Sequence, residues 1–191
     1  MSTTYDDRAT ADGFAWRTRD IVVAAVLGVA FGIAFNAANA AWPIFDVLGP
    51  AQNLLYGIWL LPAIVGALVI RKPGAALFTE MVAAGLFTLT GSQWGVDTLL
   101  SGFLQGGAAE LVFAATRYRS WSFPVLAVAS LASAAAALVH DWIVWYPTYS
   151  VDVILVIALF MAVSAVVLVP LAALAIVRAL RQAGVLEGFP A

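Results

Sequence analysis

Two glutamates lie within long apolar segments of the sequence, at matching distances from the nearest basic loop. Glu80 is seven residues beyond Pro73, and Glu110 is seven residues before Arg117. At about 1.5 Å per helical residue, each lies roughly 10 Å inside its segment. A carboxylate in such a place is costly and normally faces a cavity, the interior of a helix bundle or a partner charge. Both are candidate site residues, although either could instead pair with a basic side chain of a flanking loop.

Helical phase separates the two glutamates. Glu80 shares its stripe with Phe87 and, if the helix continues, with Trp94, whereas Glu110 projects about 140° away from the stripe that contains Gln105. We therefore expect Glu80 to face an aromatic cavity and Glu110 to support packing or coupling in the other half of the molecule. If the two carboxylates instead approach each other, burial and like charge would favour a shared proton.

Aromatic and amide side chains are concentrated away from the basic loops. Aromatic walls with a few polar groups are typical of a pocket for a small planar molecule, in which rings stack and amides read ring nitrogens and amino groups. The predicted ligand-binding residues are Asn53, Tyr56, Trp59, Glu80, Gln93, Trp94, Gln105, His140 and Trp142. For any single tryptophan a place in the interfacial belt is the alternative, and for the histidine simple solvation.

Several chemistries lack their residues in this sequence. There is no cysteine and one histidine, which excludes disulfides, thiol chemistry and a multi-histidine metal centre within the chain. The motifs GxxxxGK[ST], HExxH and GxSxG are absent, as is an intramembrane lysine for a Schiff base. We predict no catalytic residue, cofactor, metal or nucleic-acid partner, which leaves binding or transport.

The elements that position these residues are membrane helices. Of 191 residues, 63% are hydrophobic and 10% charged, with a mean hydropathy of +0.97. A span needs roughly 20 apolar residues, and the apolar runs lack the alternation of barrel strands. The runs are 21–35, 54–70, 74–90, 98–115, 124–144 and 153–180. The predicted fold is an all-α integral membrane protein, a bundle of six transmembrane helices, with a kink at Pro62 in the second.

Basic residues occur in alternate loops only, which predicts the orientation. They precede the first run, follow the second and fourth, and end the sixth, whereas the other loops contain none. Because cytoplasmic loops are enriched in Lys and Arg, both termini are expected in the cytoplasm of a multi-pass plasma-membrane protein. The predicted organisation is a polar N-terminal tail, 1–18, retained because it lacks a cleavage site, a membrane domain, 19–182, and a C-terminal tail, 183–191.

The first helix carries small residues at four-residue spacing. Ala24, Gly28 and Gly32 make one of its faces nearly smooth, so another helix can approach it closely. The face could dock a partner membrane protein or pack within the protein's own bundle. These three residues are the predicted docking residues.

Three stretches of the sequence resemble the YkoE family. They are YGIWLLPAIVGALVI, RKPGAALFTEMVAA and GSQWGVDTLLSGFLQGGAAELVFAATRYRSW, and the similarity extends over nearly all of the chain from Trp16. The resemblance implies a substrate-binding S component of an energy-coupling factor (ECF) transporter, a six-helix bundle that captures thiamin or hydroxymethylpyrimidine. It also implies a separate transmembrane T component, which in related S components meets a small-residue face of the first helix, and two ATPase domains.

Two other functions remain open at this stage. One is a stand-alone proton-coupled carrier that uses Glu80 and Glu110 as its relay. The other is a membrane-assembly protein without a ligand, in which Gly28 and Gly32 would matter and the pocket residues would not.

Overall fold

All regular structure in residues 14–190, the part of the chain described by the computed structural model, is helical. These residues contain no strand, which agrees with the all-α prediction. The elements are α1 (Thr18–Ala41), a 3₁₀ stretch (Trp42–Leu60), α2 (Leu61–Ile70), α3 (Ala75–Thr90), α4 (Asp97–Ala115), α5 (Phe123–Val144) and α6 (Val151–Gln182). Within α6, Ser164–Leu168 forms a π-helical turn.

Four segments of the described chain are long and apolar enough to cross a membrane. They are Thr18–Ile70, Asp97–Ala115, Phe123–Val144 and Val151–Gln182. Helices α2 and α3 have 10 and 16 residues. Each is shorter than the roughly 20 residues that are needed to cross the hydrocarbon layer. The protein is therefore a helical membrane protein, and the count of six spans stays a prediction.

The first of these segments is not one continuous helix. Gly49 has φ 52° and ψ −137° and is followed by Pro50, a combination that interrupts the helix and that glycine adopts at little cost. At the predicted kink, next to Pro62, the 3₁₀ stretch changes to α-helix. The α-helix begins at Leu61, so Pro62 lies in its first turn, where the missing N–H is tolerated.

Helix α2 is the centre of the bundle. All its residues from 62 to 70 are buried, and it packs against α1, α3, α4, α5 and α6. A helix that is apolar on all sides is stable only where protein surrounds it. The other helices each expose large apolar side chains on one side, for example Val26, Leu111 and Leu155.

Small residues let α1 and α4 approach α3 from two sides. A Cβ atom added to Gly28 on α1 would lie 2.6 Å from the Cβ of Val82, and one added to Gly102 on α4 would lie 2.7 Å from the Cβ of Ala84. An added Cβ atom would also be too close to its neighbours at two other glycines. At Gly32 on α1 the neighbours are Ala83 and Leu86, and at Gly106 on α4 the neighbour is Glu80.

The smooth face of α1 is thus covered from within the bundle. Ala24, Gly28 and Gly32 are all buried, and the two glycines face α3. The prediction that these three residues dock a partner does not fit this packing, because no second helix can reach a face that α3 already covers. Packing within the protein's own bundle, the alternative for this face, is what occurs.

The basic loops meet at one end of the bundle, here called the basic end. Lys72 Nζ lies 2.5 Å from Asp20 Oδ2, and Trp16 Nε1 donates to the Pro73 carbonyl at 2.8 Å. Phe189 lies beyond the end of α6, and the guanidinium group of Arg19 lies over its ring, with Cζ 4.3 Å from the ring centroid. Of the predicted tails, residues 14–17 and 183–190 pack on this end, and residues 1–13 and 191 lie outside the described part.

Substituting Gly28 by alanine should destabilise the protein by about 1–3 kcal/mol, because the new methyl group overpacks the α1–α3 contact. Its Cβ would also lie 2.9 Å from the backbone oxygen of Thr79, which cannot rotate away. The thermal midpoint of the detergent-purified protein should fall. Gly85→Ala on α3 is the matched control, since nothing lies within 4 Å of the added atom. Equal midpoints for the two variants would contradict the tight contact.

Candidate ligand-binding site

A cavity of about 970 Å³ lies at the end of the bundle opposite to the basic end. Its walls come from α1, the 3₁₀ stretch, α3, α4, α5 and α6 and from the turns after α3 and α5. Of the predicted ligand-binding residues, the following line it: Asn53, Tyr56, Trp59, Glu80, Gln93, Trp94, Gln105 and His140.

Trp142, the ninth of the predicted residues, does not line the cavity. It is 36% exposed on α5. At about 100° per residue it points roughly 200° away from His140, which faces the cavity. Trp145, in the turn after α5, contributes the tryptophan of this wall instead.

Glu80 forms the inner end of the cavity. It is 2% exposed, and its Oε2 accepts a hydrogen bond from the Ala63 amide at 3.0 Å. Ala63 lies in the first turn of α2, where backbone N–H groups have no partner within the helix and the helix dipole favours an anion. Within residues 14–190, Oε1 has no hydrogen-bond partner, which leaves this oxygen for a ligand.

Gln105 lies on α4, the helix that packs against α3. Its Nε2 donates to Ser101 Oγ at 2.7 Å. The side chain is 4% exposed, and its Oε1 is buried without a partner among the described residues. A buried acceptor that makes no hydrogen bond is unfavourable. A donor on a bound molecule would satisfy it.

Aromatic rings surround Trp59 at the same end. The Trp59 ring stacks on Phe87 at 5.5 Å and 24°, and it meets Trp94 edge-on at 5.6 Å and Phe35 at 4.7 Å. Phe87 lies on the stripe of Glu80, as the helical phase of α3 predicts, whereas α3 ends at Thr90 and Trp94 reaches the cavity from the turn that follows. The cavity thus offers a carboxylate and an amide oxygen beside aromatic faces.

A chain of hydrogen bonds crosses the outer part of the cavity. Tyr56 Oη donates to Asp141 Oδ2 at 2.9 Å, and Asp141 Oδ1 lies 2.9 Å from His140 Nδ1. His140 Nε2 lies 3.2 Å from Asp97 Oδ1, and Trp145 Nε1 donates to Asp97 Oδ2 at 2.9 Å. The chain ties the 3₁₀ stretch to α5, α4 and the turn after α5.

The lining is acidic. It contains four carboxylic acids, Asp46, Glu80, Asp97 and Asp141, and none of its described residues is Lys or Arg. Such a site attracts cations and disfavours anionic ligands.

Glu110 lies outside this cavity and caps the start of α3. Its carboxylate accepts hydrogen bonds from the amides of Gly74 at 2.7 Å and Ala76 at 3.0 Å, and from Tyr118 Oη at 2.7 Å. Burial, followed by this bond to the carboxylate, raises the pKa of Tyr118 above its ordinary value. No described ion pair joins Glu110 to Arg117, the alternative partner. The contacts correspond to the supporting role that helical phase predicts.

Sequence reasoning missed Asp97, Asp141 and Trp145 as parts of the site. Asp97 is the first residue of α4 and Asp141 follows His140 directly. Because Asp141 directly follows the one histidine of the sequence, the sequence could have indicated that these two residues interact. Nothing in the sequence indicates that the acid at the start of α4 reaches the other ring nitrogen.

A solved structure and a bacterial relative are similar to this chain over most of its length. A solved structure described as an S-component of ECF transporter matches with a TM-score of 0.86 and 32% sequence identity, covering 91% of this chain and 90% of the other. A Bacillus subtilis (strain 168) protein with the provisional name HMP/thiamine permease protein YkoE is 34% identical over 177 residues, 91% of this chain and 89% of the relative. The chain belongs to the YkoE family. It is a substrate-binding S component in a multi-pass membrane transporter family that is not enzymatic.

Residues 19–136 of this YkoE-family chain also match a family described as ABC-type cobalt transport system, permease component. The described residues contain no group of three or more His, Cys, Asp or Glu side chains that could hold a metal ion. The trio of Asp97, His140 and Asp141 is instead joined in a line by hydrogen bonds.

Replacing Glu110 by alanine should lower the stability of the protein by roughly 2 kcal/mol, because the amides at the start of α3 lose a charged acceptor. The thermal midpoint of the purified protein should fall accordingly. Glu110→Gln keeps one acceptor oxygen and should fall between the parent and the alanine variant. A normal midpoint for Glu110→Ala would show that the cap contributes little.

Proposed function

We propose that this chain captures thiamin or its hydroxymethylpyrimidine precursor from the outer side of the plasma membrane. Two findings support this substrate class. The relative from Bacillus subtilis has a name that refers to HMP/thiamine, and the cavity combines aromatic faces with acceptors suited to an aminopyrimidine. A membrane-assembly protein without a ligand, which is one of the alternative functions, would not need a polar cavity of this size.

The observation that carries the proposal is the pair of unbonded acceptors at the inner end. Gln105 Oε1 is buried without a donor among the described residues, the Ala63 amide donates to Oε2 of Glu80 and not to Oε1, and both side chains line the same cavity. An aminopyrimidine supplies N–H donors on one edge and a flat face for Trp59 or Trp94. The amino group would therefore bond to these oxygens while the ring stacks.

The charge of the lining fits both candidate ligands and suits thiamin in particular. Hydroxymethylpyrimidine is neutral, whereas thiamin carries a positively charged thiazolium ring. Aromatic faces and carboxylates both stabilise such a cation. Asn53 and Gln93, near the outer mouth, would contact the part of a ligand that extends beyond the aminopyrimidine.

In the proposed topology the basic end faces the cytoplasm, with six spans and both termini inside. The grouping of basic residues at that end supports this orientation. The membrane-embedded T component and two ATPase domains would be separate chains, since this sequence has no phosphate-binding motif. Ala24, Gly28 and Gly32 are not part of the proposed docking surface.

The two glutamates of the carrier hypothesis bond to different groups. Glu80 bonds to the start of α2, whereas the carboxylate of Glu110 bonds to the start of α3 and to Tyr118. This separation gives no support to a proton shared between them.

Glu80→Gln should weaken thiamin and hydroxymethylpyrimidine binding by about tenfold or more, since one acceptor oxygen of the buried carboxyl group is replaced by an amide NH₂ group that can only donate. Quenching of tryptophan fluorescence measures this, because Trp59 and Trp94 lie beside the proposed site. Asp46→Asn, at the exposed outer mouth, should have a smaller effect. Absence of a response to either ligand in intact protein would refute the substrate assignment, and equal losses in both variants would refute the role of Glu80.

Reconstituted liposomes distinguish an S component from a carrier. We expect ligand uptake only after the T component and ATPase domains are added with ATP, because no nucleotide-binding motif is present in this chain. Uptake driven by a pH gradient with this chain alone would instead establish the proton-coupled carrier.

A further inference from the structure

His140 lies between two carboxylates. Its side chain is 5% exposed, and its ring nitrogens lie 2.9 Å from Asp141 Oδ1 and 3.2 Å from Asp97 Oδ1. No bound molecule is needed for this arrangement, and Asp97, His140 and Asp141 are called the acid–histidine trio below. The function proposed above assigns these residues no specific task.

The hydrogen bonds of the trio require one additional proton. A neutral imidazole has one N–H group, and an ionised carboxylate can only accept. Two short nitrogen–oxygen contacts therefore need either an imidazolium ring or a protonated carboxyl group. Without that proton, a nitrogen lone pair would face a carboxylate oxygen at one of the two contacts.

The second oxygens of both carboxylates favour the ring as the location of this proton. Asp141 Oδ2 accepts from Tyr56 Oη, and Asp97 Oδ2 accepts from Trp145 Nε1, a group that can only donate. Each carboxylate thus acts as an acceptor on both sides. The charge-assisted bonds of an imidazolium between two anions are the stronger arrangement.

The surrounding elements offer no other cation. The titratable groups near the trio are Asp97 from α4, Asp141 from α5, Tyr56 and Asp46 from the 3₁₀ stretch, Tyr146 and Tyr149 from the turn after α5, and Glu80 from α3. Helices α1 and α6 contribute only uncharged side chains to the lining. Burial and the proximity of Asp141 raise the pKa of Tyr146, so this phenol stays neutral.

We propose that protonated His140 is a latch that holds the outer wall of the cavity together and thereby slows release of the bound ligand. The latch joins α4 to α5 through the ring, and to the 3₁₀ stretch through Asp141 and Tyr56. Loss of the proton turns one of the two ring contacts into a repulsive one, so the wall opens more readily. Retention of ligand then becomes dependent on pH. The inference rests on the proposed function, because it concerns the ligand held in the same cavity.

The protonation state can be measured without ligand. The chain contains one histidine, so imidazole nitrogen NMR of histidine-labelled protein gives an unambiguous signal. We expect both ring nitrogens to carry a proton at neutral pH. In Asp97→Asn, whose amide can donate to the ring, one nitrogen should be unprotonated, whereas Asp152→Asn, outside the cavity lining, should match the parent. A neutral ring in the parent would overturn the proposal.

The effect on ligand retention is measured as the thiamin dissociation rate by stopped-flow tryptophan fluorescence. As rising pH removes the proton from the ring, the rate should increase roughly tenfold in the parent and in Asp152→Asn, since a charge-assisted hydrogen bond is lost. The rate should be independent of pH in Asp97→Asn. Rates in the parent that do not change with pH would overturn the latch.

A measurement without ligand keeps the two proposals separable. The chain has no cysteine, and Ile157 on α6 lines the cavity. At one neutral pH, a water-soluble maleimide should label Ile157→Cys about tenfold faster when His140→Gln is also present. Equal rates would overturn the latch even if ligand binds normally. If neither thiamin nor hydroxymethylpyrimidine binds while labelling responds, the substrate assignment fails and the latch stands.

Discussion

The rest of the structure depends on the complete burial of a short helix that starts inside the bundle. Residues 62–70 of α2 are buried and contact all the other helices. A helix that begins away from water has backbone N–H groups that must find acceptors within the protein. The carboxylate of Glu80 supplies one acceptor at Ala63, and the same bond fixes the inner end of the cavity. The centre of the fold and the floor of the site therefore share one interaction.

The two intramembrane glutamates perform the same physical task at different helices. Glu80 accepts from the first turn of α2, and Glu110 accepts from the first turn of α3. They differ in what surrounds the carboxylate. Glu110 has both oxygens engaged by protein donors, including Tyr118, whereas Glu80 keeps one oxygen available in the cavity. Glu80 is thus available to a ligand, whereas Glu110 stabilises the start of α3.

Close approach of α1 and α4 to α3 determines where Glu80 points. Gly102 and Gly106 on α4 leave room for the side chains of Ala84 and Glu80, and Gly28 and Gly32 do the same on the α1 side. With α3 enclosed from both directions, the stripe that contains Glu80 and Phe87 faces the cavity. Small residues therefore act on the site through packing and need no contact with a ligand.

The helical class, the approximate limits of the long apolar segments and the faces on which Glu80 and Gln105 lie can all be predicted from the amino-acid sequence. These features follow from composition and helical phase, which are properties of single segments. Four features emerge only from the folded arrangement of the helices: α3 covers Gly28 and Gly32, α2 starts at Leu61, Trp142 points away from the cavity, and Asp97 reaches His140. Phase gives the direction of a side chain around its own helix, but not which neighbour it meets. Contacts between helices depend on the relative positions of segments far apart in the chain.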